Sequence, residues 1–186
     1  MGKTTAAQWL QSRGIAVVDT DDLSRAVVEP GQPALREVEE VFGRGMIGPD
    51  GRLRRDVLGR IVFGDDSARK KLEAILHPRI RELWLSQLGK WRKENRAVAV
   101  VVIPLLFETA AEKEFDAVIC VACSAATQQE RLRARGWSDD EIRSRNAAQL
   151  PVAQKMERSN YVAWTEGGLD VLHRQLEQIF VPDCSG

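Results

Sequence analysis

No stretch of this chain is apolar for long enough to cross a membrane. The longest apolar run, "AVAVVVIPLLF" at 97–107, is interrupted by Pro104 and falls well short of the roughly 20 residues a spanning helix needs. It suits a buried strand with its exit loop. No signal peptide opens the sequence, so the cytoplasm is the expected location and no membrane partner is expected. An excess of one charge is lacking too: 27 Lys and Arg stand against 27 Asp and Glu. That balance gives no sign of the strongly basic surface that nucleic-acid binding requires. Cysteine is scarce, and three residues make no full disulfide set. Cys120 and Cys123 form a C-x-x-C inside "DAVICVACS", but the run reads as a strand, whose alternation points the two sulfurs to opposite faces. They read as core residues rather than a redox pair, and Cys184 lies on a polar tail. There are no repeats and no low-complexity segment.

What the chain does have is a succession of short Val-rich runs separated by helical patterns. "GIAVVD" (14–19), "AVAVVVI" (97–103) and "DAVICVA" (116–122) lack polar alternation and predict strands buried on both faces; "NYVAW" (160–164) is a weaker fourth. Helices are expected at "TTAAQWLQSR", "TQQERLRAR", "SDDEIRSRNAAQL" and "GLDVLHRQLEQIF". Strands alternating with helices imply an α/β fold with a parallel sheet, and 186 residues suit one domain.

The interval 20–96 is different, because it holds no convincing strand. "PALREVEEVFG" and "RRDVLGRIVFG" predict short helices ended by Gly43 and Gly64. Leu72, Ile75, Leu76, Ile80, Leu83, Trp84, Leu88 and Trp91 then step by three and four along one long helix. A crossover between parallel strands needs only about a dozen residues, so an inserted helical subdomain is expected, at the sheet edge where α/β proteins bind ligands.

Several clusters carry chemistry, each against a structural alternative. Gly2-Lys3-Thr4 supplies the last letters of a G-x-x-x-x-G-K-[ST] phosphate loop, with a helix behind it. Lys3 would then reach phosphates, Thr4 would ligate Mg²⁺, and the helix N-terminus, with Thr5, would hold phosphate oxygens. The alternative is a frayed terminus with a capping Thr. The strand and first glycine of a complete loop would lie upstream of Met1, so about a dozen residues are expected to be missing, as from a start codon placed too late inside the loop. Asp19-Thr20-Asp21-Asp22 closes the first strand. Asp19 or Asp22 caps the next helix, or a carboxylate there serves a substrate hydroxyl or a metal; strand alternation puts Asp19 and Asp21 on one side. Arg131, Arg133, Arg135, Arg143 and Arg145 form either a solvated face or a lid over phosphates. His77, before Pro78, has no companion at metal-ligand spacing.

Together these segments resemble the dephospho-CoA kinase family over nearly the full chain. "VVDTDDLSRAVVEPGQPALREVEEVFG" is similar to its D-x-D segment, "RDVLGRIVF" and "LEAILHPRIR" to its subdomain signature, "IPLLFET" to its Pro-Leu-Leu-Phe-Glu loop, and "QQERLRAR" with "RNAAQ" to its lid. The resemblance implies a P-loop kinase-type parallel sheet with an inserted helical substrate subdomain and a helical lid. The core would be about 1–22, 97–123 and 150–181, the CoA subdomain about 23–96 and the lid about 124–149. It implies ATP-dependent phosphorylation of the dephospho-CoA 3′-hydroxyl, with ATP and Mg²⁺, small-molecule substrates, and neither nucleic acid nor membrane as a partner. Lys3, Asp21, Arg131 and Arg135 are then the expected catalytic residues, with Asp21 as base. Gly2, Lys3, Thr4, Thr5 and Arg145 would bind nucleotide, Thr4 the metal, and Asp19, Arg25, His77, Arg79, Pro104 and Leu105 the acceptor. One departure stands out: Thr165 occupies the place of a family Asn on the adenine side, with Trp164 beside it as a stacking face. Two other functions compete, a different small-molecule P-loop kinase and a degenerate P-loop remnant that only binds. The D-x-D and the large insertion argue against the first.

Overall fold

The computed structural model describes residues 2–180, so Cys184 and the place of Met1 lie outside the described residues. The chain forms two compact units, Ile15–Ile103 and Met1–Gly14 with Pro104–Gly186. Each contains one pair of parallel strands, and the fold is mixed α/β with parallel sheets, as the sequence predicts.

In the unit Ile15–Ile103, β1 (Ala16–Asp19) pairs in parallel with β2 (Ala99–Val102), Ala16 opposite Ala99 and Asp19 opposite Val102. Between them run α2 (Thr20–Ala26), α3 (Pro33–Phe42), α4 (Arg55–Gly64) and α5 (Asp66–Lys93). Pro33 starts α3, where its missing N–H costs nothing, and Gly43 ends it at φ 93°, a conformation that favours glycine. Asp65 caps α5, its carboxylate accepting from Ser67 and Ala68 N–H. The core around these helices is apolar: Val28, Ala34, Val38, Leu58 and Ile75 are all buried. The long stripe holds with one correction. Ile75, Trp84 and Leu88 are buried, but Leu83 is 41% exposed, because Trp84 takes the inward position on that turn.

Pro78 sits inside α5 without ending it. It has no N–H to give the Ala74 carbonyl, which removes one rung of the helix ladder. One rung on, the Arg79 guanidinium donates to the Ile75 carbonyl at 2.6 Å and to Glu37 of α3 at 2.7 Å. The side chain expected to face the acceptor therefore braces α5 against α3.

In the other unit, β3 (Ile119–Ala122) pairs in parallel with β4 (Tyr161–Trp164), Ile119 opposite Tyr161. α1 (Lys3–Ser12) and α9 (Leu169–Phe180) share a small core with β4 through Ala6, Ala163, Leu172 and Leu176. Trp9 stacks on His173 at 5.3 Å. Between β3 and β4 come α6 (Ala125–Arg133), α7 (Asp139–Ala147) and α8 (Val152–Glu157). Ser124 caps α6, and Ser138 with Glu141 forms a reciprocal capping box on α7.

The strands are less covered than their Val-rich runs predict. Every residue of β1 and β2 is half-buried, and only Ala122 of β3 and Ala163 of β4 are buried. Among the described residues each strand has a single hydrogen-bonded neighbour, without the two flanks that a central strand has. Cys120 lies in β3 and its thiol is pushed up by burial, an effect that the charges of Lys155 and Lys3 oppose. Cys123 falls beyond the strand's end, 2% exposed, so strand alternation does not govern it.

Candidate active site

The phosphate-side residues begin at the start of α1. Gly2 is its N-cap residue at φ 82°, ψ 5°, with no side-chain cap. The first bond of the helix runs from Ala6 N–H to the Gly2 carbonyl, which leaves the N–H groups of Lys3, Thr4 and Thr5 without partners inside the helix. No threonine caps this end, so the capping alternative is set aside. A Cβ on Gly2 would stand 3.1 Å from Thr165 Cγ2. Both the backbone conformation and the close approach therefore require glycine.

Thr165 follows β4 and is 5% exposed. Its N–H and its hydroxyl both donate to the Ala122 carbonyl, at 2.8 and 3.1 Å. Its oxygens receive Arg131: Nη1 donates to Thr165 Oγ1 at 3.0 Å and Nη2 to the Thr165 carbonyl at 2.6 Å. Gly2, Thr165 and Arg131 thus meet, joining the start of α1, the end of β4 and the last turn of α6.

The other arginines divide. Arg133 makes a two-pronged pair with Asp139 at 2.8 and 3.1 Å, and Arg143 pairs with Asp140. These two are the solvated face that interspersed acids predict. Arg145 stacks its guanidinium 3.9 Å from the Trp137 ring centroid, where burial lowers its pKa while Glu141 opposes the shift. Arg135 is exposed and makes no side-chain bond to any described residue.

Of the acceptor-side residues, Asp19, Arg25, His77 and Arg79 lie, with Asp21, in the other unit, while Pro104 and Leu105 belong to this one. Strand β1 stops at Asp19, whose carboxylate accepts Asp21 N–H at 2.9 Å and so caps α2. Because the helix begins at Thr20, strand alternation does not carry through to Asp21, and the expected shared side is corrected to a strand end followed by a first helical turn. Thr20 Oγ1 donates to the Val102 carbonyl at 3.0 Å and pins that turn to the end of β2. The Asp21 carboxylate is exposed and unbonded to described residues. Arg25 pairs with Asp22 at 3.1 Å on the surface. His77 is half-buried on α5.

Pro104 and Leu105 open the loop after β2, and what holds that loop escaped sequence reasoning. Lys155 of α8, 9% exposed, donates to Glu108 at 2.7 Å, to Gln149 at 3.2 Å and to the Pro104 carbonyl at 3.3 Å. Glu108 also accepts Leu150 N–H at 2.9 Å. Burial raises the Glu108 pKa, but the Lys155 hydrogen bond and charge together with backbone N–H groups outweigh it, so the carboxyl lies below its usual value. The one available signal was a carboxylate closing the apolar run "IPLLFE", which demands a cation. A second unforeseen tie is Glu166, which accepts Ser124 N–H at 2.9 Å and the Thr127 hydroxyl at 3.1 Å, lowering its pKa and joining the β4 exit to the base of α6.

The sequence profile described as "Dephospho-CoA kinase" matches residues 1–170. The chain belongs to the dephospho-CoA kinase family. The curated dephospho-CoA kinase of Geobacter sulfurreducens is 41% identical over 96% of this chain and 91% of its own length, and that of Bdellovibrio bacteriovorus 39% identical over 96% and 89%. Among solved structures, TT1252 from Thermus thermophilus superposes with a TM-score of 0.79 at 34% identity, covering 96% of this chain and 90% of that one. The Campylobacter jejuni dephospho-CoA kinase superposes at 0.69 with 24% identity, covering 96% and 91%, and supports the fold alone. Thr165 is bound to Arg131.

Proposed function

We propose that this chain transfers the γ-phosphoryl group of ATP to the ribose 3′-hydroxyl of dephospho-CoA, giving CoA and ADP. The observation that carries the reading is Arg131 held against the Gly2 end of the phosphate loop through Thr165. The relatives supply the acceptor, since they are named for it.

Lys3 and the backbone N–H groups at the start of α1 bind phosphate oxygens. Arg131 keeps donors to spare and Arg135 is uncommitted, so both meet the charge spread over the transferring group. Asp21 accepts the acceptor's proton, while Asp19 fixes the turn that presents it. Arg145 serves the nucleotide, and Arg25, His77, Pro104 and Leu105 serve the acceptor. Arg79 acts through the α3 brace rather than by direct contact.

The donor set suits Mg²⁺. Thr4 is exposed and its hydroxyl makes no bond to a described residue. Among described residues no group of three or more His, Cys, Asp or Glu could hold a metal by itself. A single hydroxyl is what Mg²⁺ takes when waters and substrate phosphates complete its shell. Bound there with ATP, the ion would offset charge on the β- and γ-phosphates. Among described residues no helix is long and apolar enough to cross a membrane, and a cytoplasmic location forms part of this proposal. So does the division into a core, a helical CoA subdomain at about 23–96 and a lid at about 124–149.

The test is an acceptor screen with ATP and Mg²⁺. Dephospho-CoA should be consumed ahead of other nucleosides and alcohols, with phosphorus NMR placing the new phosphate on the 3′-oxygen. Faster phosphorylation of another alcohol would refute the assignment.

A further inference from the structure

The side chain of Thr165 touches two different parts of the phosphate side at once, one with each of its branches. Its methyl group faces Gly2, close enough that a Cβ there would stand at 3.1 Å. Its hydroxyl faces Arg131. The hydroxyl proton is committed to the Ala122 carbonyl at 3.1 Å, so what Oγ1 presents to Arg131 Nη1 is a lone pair with its direction fixed. The carbonyl of the same residue takes Nη2. A guanidinium carries five N–H donors, and this grip uses one on each terminal nitrogen. The remaining donors stay available to a ligand while the grip holds.

We propose that Thr165 is a positioning residue that presets Arg131 beside the phosphate loop before nucleotide arrives, with its hydroxyl aiming the guanidinium and its methyl bearing on Gly2. The inference rests on the phosphate role assigned to Arg131 above. An arginine held by two bonds has already lost the rotamer freedom that it would otherwise give up on meeting the phosphates. The benefit therefore belongs to turnover and not to acceptor binding.

Thr165→Val keeps the methyl contact and the shape but removes the hydroxyl; Thr165→Ser does the reverse. Steady-state kinetics of the full chain with ATP, Mg²⁺ and dephospho-CoA separate the two branches. In Thr165→Val, kcat should fall about three- to tenfold, the scale of one ordinary net hydrogen bond, with the KM for dephospho-CoA unchanged. Thr165→Ser should restore kcat. On an Arg131→Lys background Thr165→Val should cost nothing further, because the fork it aims is already gone. Should Thr165→Val not fold, Thr165→Ala takes its place under the same criteria. An unchanged kcat in Thr165→Val, or an equal loss on both backgrounds, overturns the positioning role. An unchanged kcat in Arg131→Lys itself overturns the phosphate assignment beneath it, and the two failures are told apart by that single variant.

Discussion

The helical unit and the phosphate-side unit are built by opposite means. In Ile15–Ile103 the interior is a cluster of apolar side chains from α3, α4, α5 and the segments that follow α2 and α3, and its ion pairs, such as Arg79–Glu37 and Arg52–Glu29, lie near the surface. In the other unit the apolar core is small, and the ties that matter are polar: Lys155–Glu108 and Arg131–Thr165 are partly covered or deeper, and Glu166–Ser124 lies at the surface. Aliphatic packing is non-directional and fixes a shape. Hydrogen-bonded charges fix the direction of particular groups, at the risk of leaving a costly orphan when one is lost. A subdomain that presents a surface can use the first; a site that must aim charges at a phosphoryl group needs the second.

The strongest way to break this contrast is Lys155→Met. It leaves the partly covered Glu108 carboxylate without its cation, and a lost partner in a fully buried pair would cost about 3–5 kcal/mol. Denaturant unfolding should show a loss near the lower end, since the pair keeps some exposure at 11% and 18%. A loss under about 1 kcal/mol would mean the tie is no more than a surface pair. Ile75→Ala, at 3% exposure in the helical core, should cost about 2–4 kcal/mol by transfer and cavity formation, with no effect on the acid sensitivity described below.

Arg131→Lys comes next and should act on function rather than on folding. It keeps the charge and loses the fork, so turnover should fall about tenfold while the melting temperature and the KM for dephospho-CoA hold. Glu37→Gln is the mirror case in the helical unit. Its pair with Arg79 is 35% and 42% exposed, so the loss should stay below about 1 kcal/mol, with turnover nearly unchanged.

The smallest effect is one of pH. Glu108 has its pKa lowered in the folded protein, so its contribution is fully present above its ordinary value of 4.5 and is lost as pH falls through the lowered one. The melting temperature should hold above about pH 4.5 and decline below it. In Lys155→Met burial acts with far less opposition, so the acid-dependent loss should shrink or reverse, because protonation then relieves a carboxylate left without its cation. Identical acid profiles would show that Lys155 does not hold that carboxylate.

The sequence made the helical unit more legible than the site. Strand runs and the long stripe of α5 announce themselves by period, because burial against neighbours along one element imposes it. Asp21 was misplaced because alternation was carried one residue past the point where Asp19 caps a helix. Leu83 shows the same limit, a stripe position lost to a larger neighbour. The polar ties have no period at all. Lys155 sits in the short polar helix "VAQKME", where a lysine reads as solvated, and its partners are brought to it only by the fold. The family motifs pointed to Arg131 and to Thr165 separately, but not to the bond between them.

The most direct measurement is steady-state turnover with saturating ATP and dephospho-CoA, for the wild type beside Arg131→Lys and Asp21→Asn, one substitution from each unit. The wild type should form CoA and ADP one for one. Both variants should turn over more slowly, Asp21→Asn by about 10²-fold, the lower end for a lost general base, with melting temperatures unchanged. ADP formed without CoA, or a variant Asp21→Asn as fast as the wild type, would contradict the assignment of phosphoryl transfer to these residues.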